Sequence, residues 1–151
     1  MLKGIHPLLN ADVLLALSAM GHGDDLVIVD TNFPADSVAR QTRLGTLLRI
    51  DSTTAAEAAA AVLSVYPLDT FVDDAAARMA IVGKPKEVPP VQKEVQKVID
   101  KSEGKSWPMI PIERYAFYER ARQAYCVIQT GERRFYGCFA FRKGVIPPDA
   151  G

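Results

Sequence analysis

The hydrophobic pattern of this chain switches repeatedly between a helical and a strand rhythm. After Asn10, "ADVLLALSAM" puts Val13, Leu14, Leu17 and Met20 on one helical face. Asn10 is suited to cap the first turn, and Gly21 to stop the last as a C′ glycine. "LVIV" (Leu26 to Val29) is a short, β-branched, unbroken apolar run, as expected of a strand covered on both faces. "DTNFPADS" after it reads as a loop, and "LLRI" as a second strand. Asp51 or Ser52 is the predicted cap of an alanine-rich helix, "TTAAEAAAAVLSVY", terminated by Pro67. "ARMAIV" reads as a third strand.

A second long helix is predicted from Pro89–Pro90 through "VQKEVQKVIDKS", with Val91, Val95, Val98 and Ile99 as its apolar stripe and Gly104 at its end. "WPMIPI", with two prolines, suits an edge strand or connector. "ERYAFYERARQ" reads as a short helix; "AYCVIQ", "TGERR" and "FYGCFAF" together read as a β-hairpin. No repeat or linker divides the chain. The expectation is an α/β fold: one three-layer domain over residues 1–151, with a central, mainly parallel sheet flanked by helices and a C-terminal β-hairpin.

Composition narrows the partners. The chain has 151 residues, 48% hydrophobic and 24% charged, within the range of ordinary globular domains. Lys plus Arg and Asp plus Glu both number 18, which argues against nucleic acid or an anionic membrane as a partner and favours self-association. No signal peptide or membrane-spanning run is evident, so a cytoplasmic location is expected. Cys126 and Cys138 lie in strand-like runs without metal-site spacing and read as two reduced, buried thiols.

Three stretches could carry chemistry. "MGHGDDLVIVD" sets His22 between two glycines that leave its imidazole uncovered, and ends the strand on Asp30. A histidine there can move a proton at neutral pH, and a carboxylate at a strand's C-terminal end sits where open α/β sheets bind ligands. A glycine-rich turn with solvated carboxylates explains the same residues. The stretch lacks the spacing of a phosphate-cradling loop, and a metal site would need more ligands than His6 and His22 supply.

In "ERYAFYERAR", helical spacing puts Arg114, Phe117, Tyr118 and Ala121 on one face. That pairs a guanidinium fork for hydroxyls with aromatic surfaces for sugar C–H groups. The competing reading makes the aromatics core and Arg114 a cap of the preceding turn. In "RRFYGCF", strand alternation sends Phe135, Gly137 and Phe139 one way and Tyr136, Cys138 and Ala140 the other. Gly137 there suits a close approach and Tyr136 a sugar hydroxyl, although ordinary hairpin chemistry accounts for both.

Taken with the "LKGIHPLL" start, "MGHGDDLVIVDTNFP", "RYAFYERARQAYCVIQTGE" and "YGCFAFRKGV" resemble, in order and over essentially the whole chain, the L-fucose mutarotase/D-ribose pyranase (RbsD/FucU) family. The resemblance implies a sugar isomerase that interconverts anomers or ring forms of a monosaccharide without cofactor or metal. It implies His22 as proton donor, Asp30 and Arg114 as substrate-binding residues, and Tyr136-Gly137-Cys138 as a binding segment; Tyr118, on the helical face of Arg114, is expected to line the site. It also implies a ring-shaped homo-oligomer, often a decamer, with sites near subunit interfaces. Cys138 departs from the family's Asn, exchanging a carboxamide for a weakly hydrogen-bonding thiol. Arginine at position 114 within "RYAFYERA" resembles the fucose branch; the ribose branch has histidine there. The expected reaction is anomer interconversion of L-fucose or a related sugar, with D-ribose pyranase activity or a non-catalytic, transport-associated sugar-binding role as alternatives.

Overall fold

The computed structural model describes residues 1–150. Its elements run α1 (Ala11–Ala19), β1 (Asp25–Val29), α2 (Ala35–Ala39), β2 (Leu48–Ile50), α3 (Ala55–Leu63), β3 (Ala76–Met79), α4 (Pro90–Glu103), β4 (Ile110–Ile112), α5 (Arg114–Gln123), β5 (Cys126–Thr130) and β6 (Phe139–Arg142). The strands form one sheet in the order β2-β5-β1-β6-β3-β4. β1 pairs in parallel with β5, β2 with β5, and β3 with β4; β6 alone runs antiparallel, between β1 and β3. No helix among the described residues is long and apolar enough to cross a membrane.

The unbroken apolar strands have a simple cause. Leu26 and Ile28 point into one core with α1, α3 and α4, while Val27 and Val29 point into a second core with α2 and α5. β6 and the residue before it divide the same way: Phe139 and Phe141 fill the first core, whereas Cys138 and Ala140 leave room in the second for Phe117 of α5.

The mainly parallel, three-layer arrangement is as expected, but the C-terminal hairpin is absent. β5 and β6 are separated by β1, and the segment between them crosses the end of the sheet instead of turning tightly. Sequence proximity suggests a hairpin; burial of both strands on both faces is better met by a six-stranded sheet in which β6 fills the gap between β1 and β3.

Smaller departures have local causes. α1 ends where Met20 turns extended, its N–H still bonded to Ala16; Gly21 has no left-handed twist, and Gly23 carries it instead at φ +88°. α3 is capped by Thr54, not Asp51 or Ser52. The Thr54 hydroxyl accepts from Glu57 N–H while the Glu57 carboxylate accepts from Thr54 N–H. That helix is over by Ser64, before Pro67 is reached. The "DTNFPADS" loop holds the start of α2, five residues held by Val38 and Ala39 packing into the second core. At the ends of α4, Pro90 occupies the first turn and Gly104 closes in the left-handed region at φ +70°.

Candidate functional site

β1, β3 and β4 run parallel, so their C-terminal ends lie along one edge of the sheet. Chain connections diverge from β1 there, β2 lying toward one side of the sheet and β3 toward the other, which leaves a crevice at the strand ends. It is a cavity of about 230 Å³ whose walls include Asp30, Phe33, Arg114, Tyr118, Tyr136 and Cys138, with Asn32, Met79 and Phe135 completing the lining. That is the space of roughly seven or eight waters, the scale of one small polar ligand.

Asp30, the first residue after β1, is buried and holds the site together. Its Oδ1 accepts from the backbone N–H groups of Asn32 and Phe33, both at 3.0 Å. Its Oδ2 accepts from Gly137 N–H at 3.1 Å and lies 3.5 Å from Cys138 Sγ. One carboxylate thereby fastens the turn after β1 to the segment entering β6. Those four donors occupy the lone-pair sites of a carboxylate, and the thiol is the weakest of them. A ligand hydroxyl would most easily replace the thiol. Burial pushes the Cys138 thiol well above its ordinary range, with the charge of Asp30 adding to the effect, so the group is a protonated donor.

Gly137 is required by close approach. A Cβ there would lie 2.8 Å from Glu132 Cγ and 3.3 Å from Asp30 Cβ. The alternation expected across residues 135–140 fails at this point: β6 begins only at Phe139, and Tyr136 is left-handed at φ +62°, rare for a residue with a side chain. Phe135 consequently turns outward, and it lines the cavity beside Tyr136 and Cys138 instead of opposing them. Tyr136 is anchored at both ends, its hydroxyl accepting from Val82 N–H at 3.3 Å and its carbonyl from Gln92 Nε2 at 3.0 Å.

α5 supplies the opposite wall. Phe117 and Ala121 are core, while Arg114 and Tyr118 face the cavity, so the helical face expected from spacing divides along its length. Glu113, not Arg114, caps the helix, its carboxylate accepting from Tyr115 and Ala116 N–H. Arg114 is left free to donate through Nε to the Tyr118 hydroxyl at 3.1 Å, its guanidinium stacked near the Tyr115 and Tyr118 rings. Tyr118 rests edge-on against Phe33. A flat aromatic surface and a cationic fork thus share the pocket.

The loop between β5 and β6 is fixed by a buried carboxylate paired with an exposed arginine. Glu132, 4% exposed, accepts from Ala55 N–H and from the backbone and guanidinium of Arg134, which also binds Glu94. Burial works to raise the Glu132 carboxyl, but the hydrogen bonds from Arg134 and the backbone outweigh it and hold the group down at about 2.

His22 does not join this cluster within one chain. It precedes β1 and lies at the opposite edge of the sheet, where Gly23 N–H bonds Lys143 beyond the end of β6. At about 3.3 Å per residue, β1 alone separates the two edges by about 16 Å. His22 is nonetheless built into a site of its own. Its Nε2 lies 3.1 Å from Oδ1 of buried Asp69, its ring packs edge-on against exposed Phe71, and its side chain is 46% exposed. Asp69 accepts from Phe71 N–H, which lowers its carboxyl, and the neighbouring histidine lowers it further against the opposing cost of burial. With Nε2 turned to Asp69, Nδ1 is the ring nitrogen without a hydrogen-bond partner among the described residues. Asp69 and Phe71 escape a reading of the sequence because they are far from His22 along the chain. Asn32, Phe33 and Met79 escape it as ordinary loop and core residues.

The RbsD/FucU transport protein family profile matches residues 3–146. The fucose mutarotase of Danio rerio is 41% identical over 98% of this chain and 96% of its own length. A crystal structure described as that of a candidate sugar-binding protein is 65% identical, with a TM-score of 0.95 over 97% of each chain. The fucose mutarotase of Streptococcus pneumoniae, solved in complex with L-fucose, is 31% identical, with a TM-score of 0.86 over 97% of this chain and 100% of that one.

Proposed function

Since the chain belongs to the RbsD/FucU transport protein family, we propose that it is a monosaccharide mutarotase, an isomerase that interconverts the α and β anomers of L-fucose. The observation that carries this reading is the convergence of Asp30, Arg114, Tyr118, Tyr136 and Cys138 on one small cavity. Aromatic faces meet sugar C–H surfaces, and the guanidinium and phenol groups exchange hydrogen bonds with hydroxyls.

Ring opening needs a proton on the ring oxygen while the anomeric hydroxyl gives one up to water, and both transfers reverse on closure. The C1–ring oxygen bond breaks to give the aldehyde, the C1–C2 bond rotates, and closure on the other carbonyl face returns the proton. We assign the acid role to His22 through Nδ1, with Asp69 holding Nε2, and the holding of hydroxyls to Arg114, Tyr136 and the Asp30–Cys138 pair. Positioned proton transfer of this kind contributes about 10²–10⁴-fold.

His22 and the cavity lie at opposite sheet edges, so the complete site requires two chains: His22 of one subunit enters the cavity of the next. Such a contact joins two different surfaces and forms a ring when the rotation between neighbours closes, and the resemblance implies a decamer working in the cytoplasm. Exposed apolar groups support the contact on both sides, with Phe135 and Tyr115 at the cavity rim and Phe71 beside His22.

Exchange NMR on separate anomers of L-fucose and D-ribose tests the reading. Accelerated α/β exchange of L-fucose over buffer is expected. Binding without acceleration would leave a sugar-binding protein, and equal rates on the two sugars would remove the specificity assigned to Arg114.

A further inference from the structure

α4 buries an amide where its pattern calls for an apolar residue. Gln92 is fully buried between Val91 and Val95, and the apolar stripe of the helix gives no reason for it. Burying an unpaired amide is costly, so what it bonds to is informative. Its Nε2 donates to the carbonyl of Met79 at 2.7 Å and to that of Tyr136 at 3.0 Å, and its Oε1 accepts from Arg78 Nη1 at 3.0 Å.

These bonds sit where the sheet stops. β3 and β6 pair as far as Arg78 and Phe139, with a last bond from Met79 N–H to the Cys138 carbonyl. Beyond it the chain kinks through left-handed Tyr136, and the carbonyls of Met79 and Tyr136 are left facing the same space. Two acceptors cannot bond each other; a group with two N–H donors joins them. Arg78 fixes which end of the amide points there by occupying its oxygen. The same guanidinium donates to the carbonyls of Pro85 and Glu87, at the far side of the turn that holds Val82. Val82 N–H in turn bonds the Tyr136 hydroxyl. The circuit closes: one buried arginine and one buried amide hold the two ends of Tyr136.

We propose that Gln92, oriented by Arg78, is a positioning residue for the sugar site, holding Tyr136 in its left-handed conformation and so setting the affinity for sugar. This rests on the reading of the cavity as a sugar site. Gln92 does not line the cavity and reaches it only through Tyr136, a residue assigned to holding hydroxyls, so its influence falls on binding and not on proton transfer.

The test is Gln92→Glu, which keeps shape and pairs with Arg78 but presents no donor to the two carbonyls. In exchange NMR over a range of L-fucose concentrations, KM is expected to rise about tenfold with kcat within about twofold of wild type. Tyr136→Phe, which frees the other end of Tyr136, is expected to combine with Gln92→Glu non-additively in KM. Arg78→Lys gives a smaller rise in KM in the same direction and carries the test if Gln92→Glu does not fold. A folded variant with wild-type KM, whether or not its Tm falls, overturns the proposal, as do additive effects in the double variant. Absence of acceleration by the wild type is a different result: it overturns the mutarotase reading and this proposal with it.

Discussion

If His22 serves a cavity in another chain, two inactive variants should make an active protein. His22→Ala removes the acid and little packing, since the side chain is half exposed between glycines. Its exchange rate should fall by about 10²-fold or more. Arg114→Ala removes an exposed guanidinium that donates only to Tyr118 within the chain. Loss of a charged hydrogen bond to sugar, on the order of 2 kcal/mol, lowers its kcat/KM about thirtyfold. Co-expressed in equal amounts and purified through two tags, the chains mix in one ring. Each site then takes its His22 from one chain and its Arg114 from another. Half the donors and half the receivers are intact, so about a quarter of the sites carry both. Recovery to about 25% of the wild-type rate at sub-saturating L-fucose is expected. If both groups acted within one chain, no site could carry both, and the mixture would show only the mean of its parents. That result would refute the two-chain site and, because His22 cannot cross the roughly 16 Å length of β1, the role of His22 as well.

Three further outcomes follow from the geometry. Gly137→Ala forces a Cβ against Glu132 and Asp30, and should cost on the order of 2 kcal/mol in denaturant titration while lowering activity further than that loss of folded protein explains. Glu132 is held at about 2, below its unfolded value of 4.5, so its contribution is complete above about pH 4.5 and is lost as pH falls toward 2. Acid unfolding of Glu132→Gln followed by circular dichroism should show lower stability at neutral pH and a weaker dependence on pH in that window. Cys126 is pushed up to about 12 by burial and Cys138 is raised by burial and by Asp30, so neither thiol should react with an aromatic disulfide reagent until the protein is unfolded.

Much of the fold is readable along the chain because its signals are local. The 3.6-residue rhythm of α1 and α4, the apolar runs of β1 and β5, and the capping chemistry of Asn10 and Gly104 each act within a few residues. Expectations fail where a distant partner decides. The cap of α3 is the exception and has a local cause: of Asp51, Ser52 and Thr54, only Thr54 has Glu57 three residues on, the spacing of a capping box. The hairpin fails because β1 pairs with both of the strands that a hairpin would have joined.

The site divides along the same line. Residue types and their local spacing determined the elements, the unlike groups that could touch a sugar, and the resemblance that joins them. What the tertiary structure decided is which of those groups meet. Asp30, Arg114, Tyr118 and the Tyr136–Cys138 segment come together because parallel strands put their C-terminal ends at one edge. His22 and Asp30, eight residues apart in sequence, are held apart because a strand between them is rigid and extended. Asp69 reaches His22, and Gln92 reaches Tyr136, only through packing between elements remote in the chain. Hydrogen bonds over such distances depend on the relative placement of whole elements, which no local pattern of residues encodes.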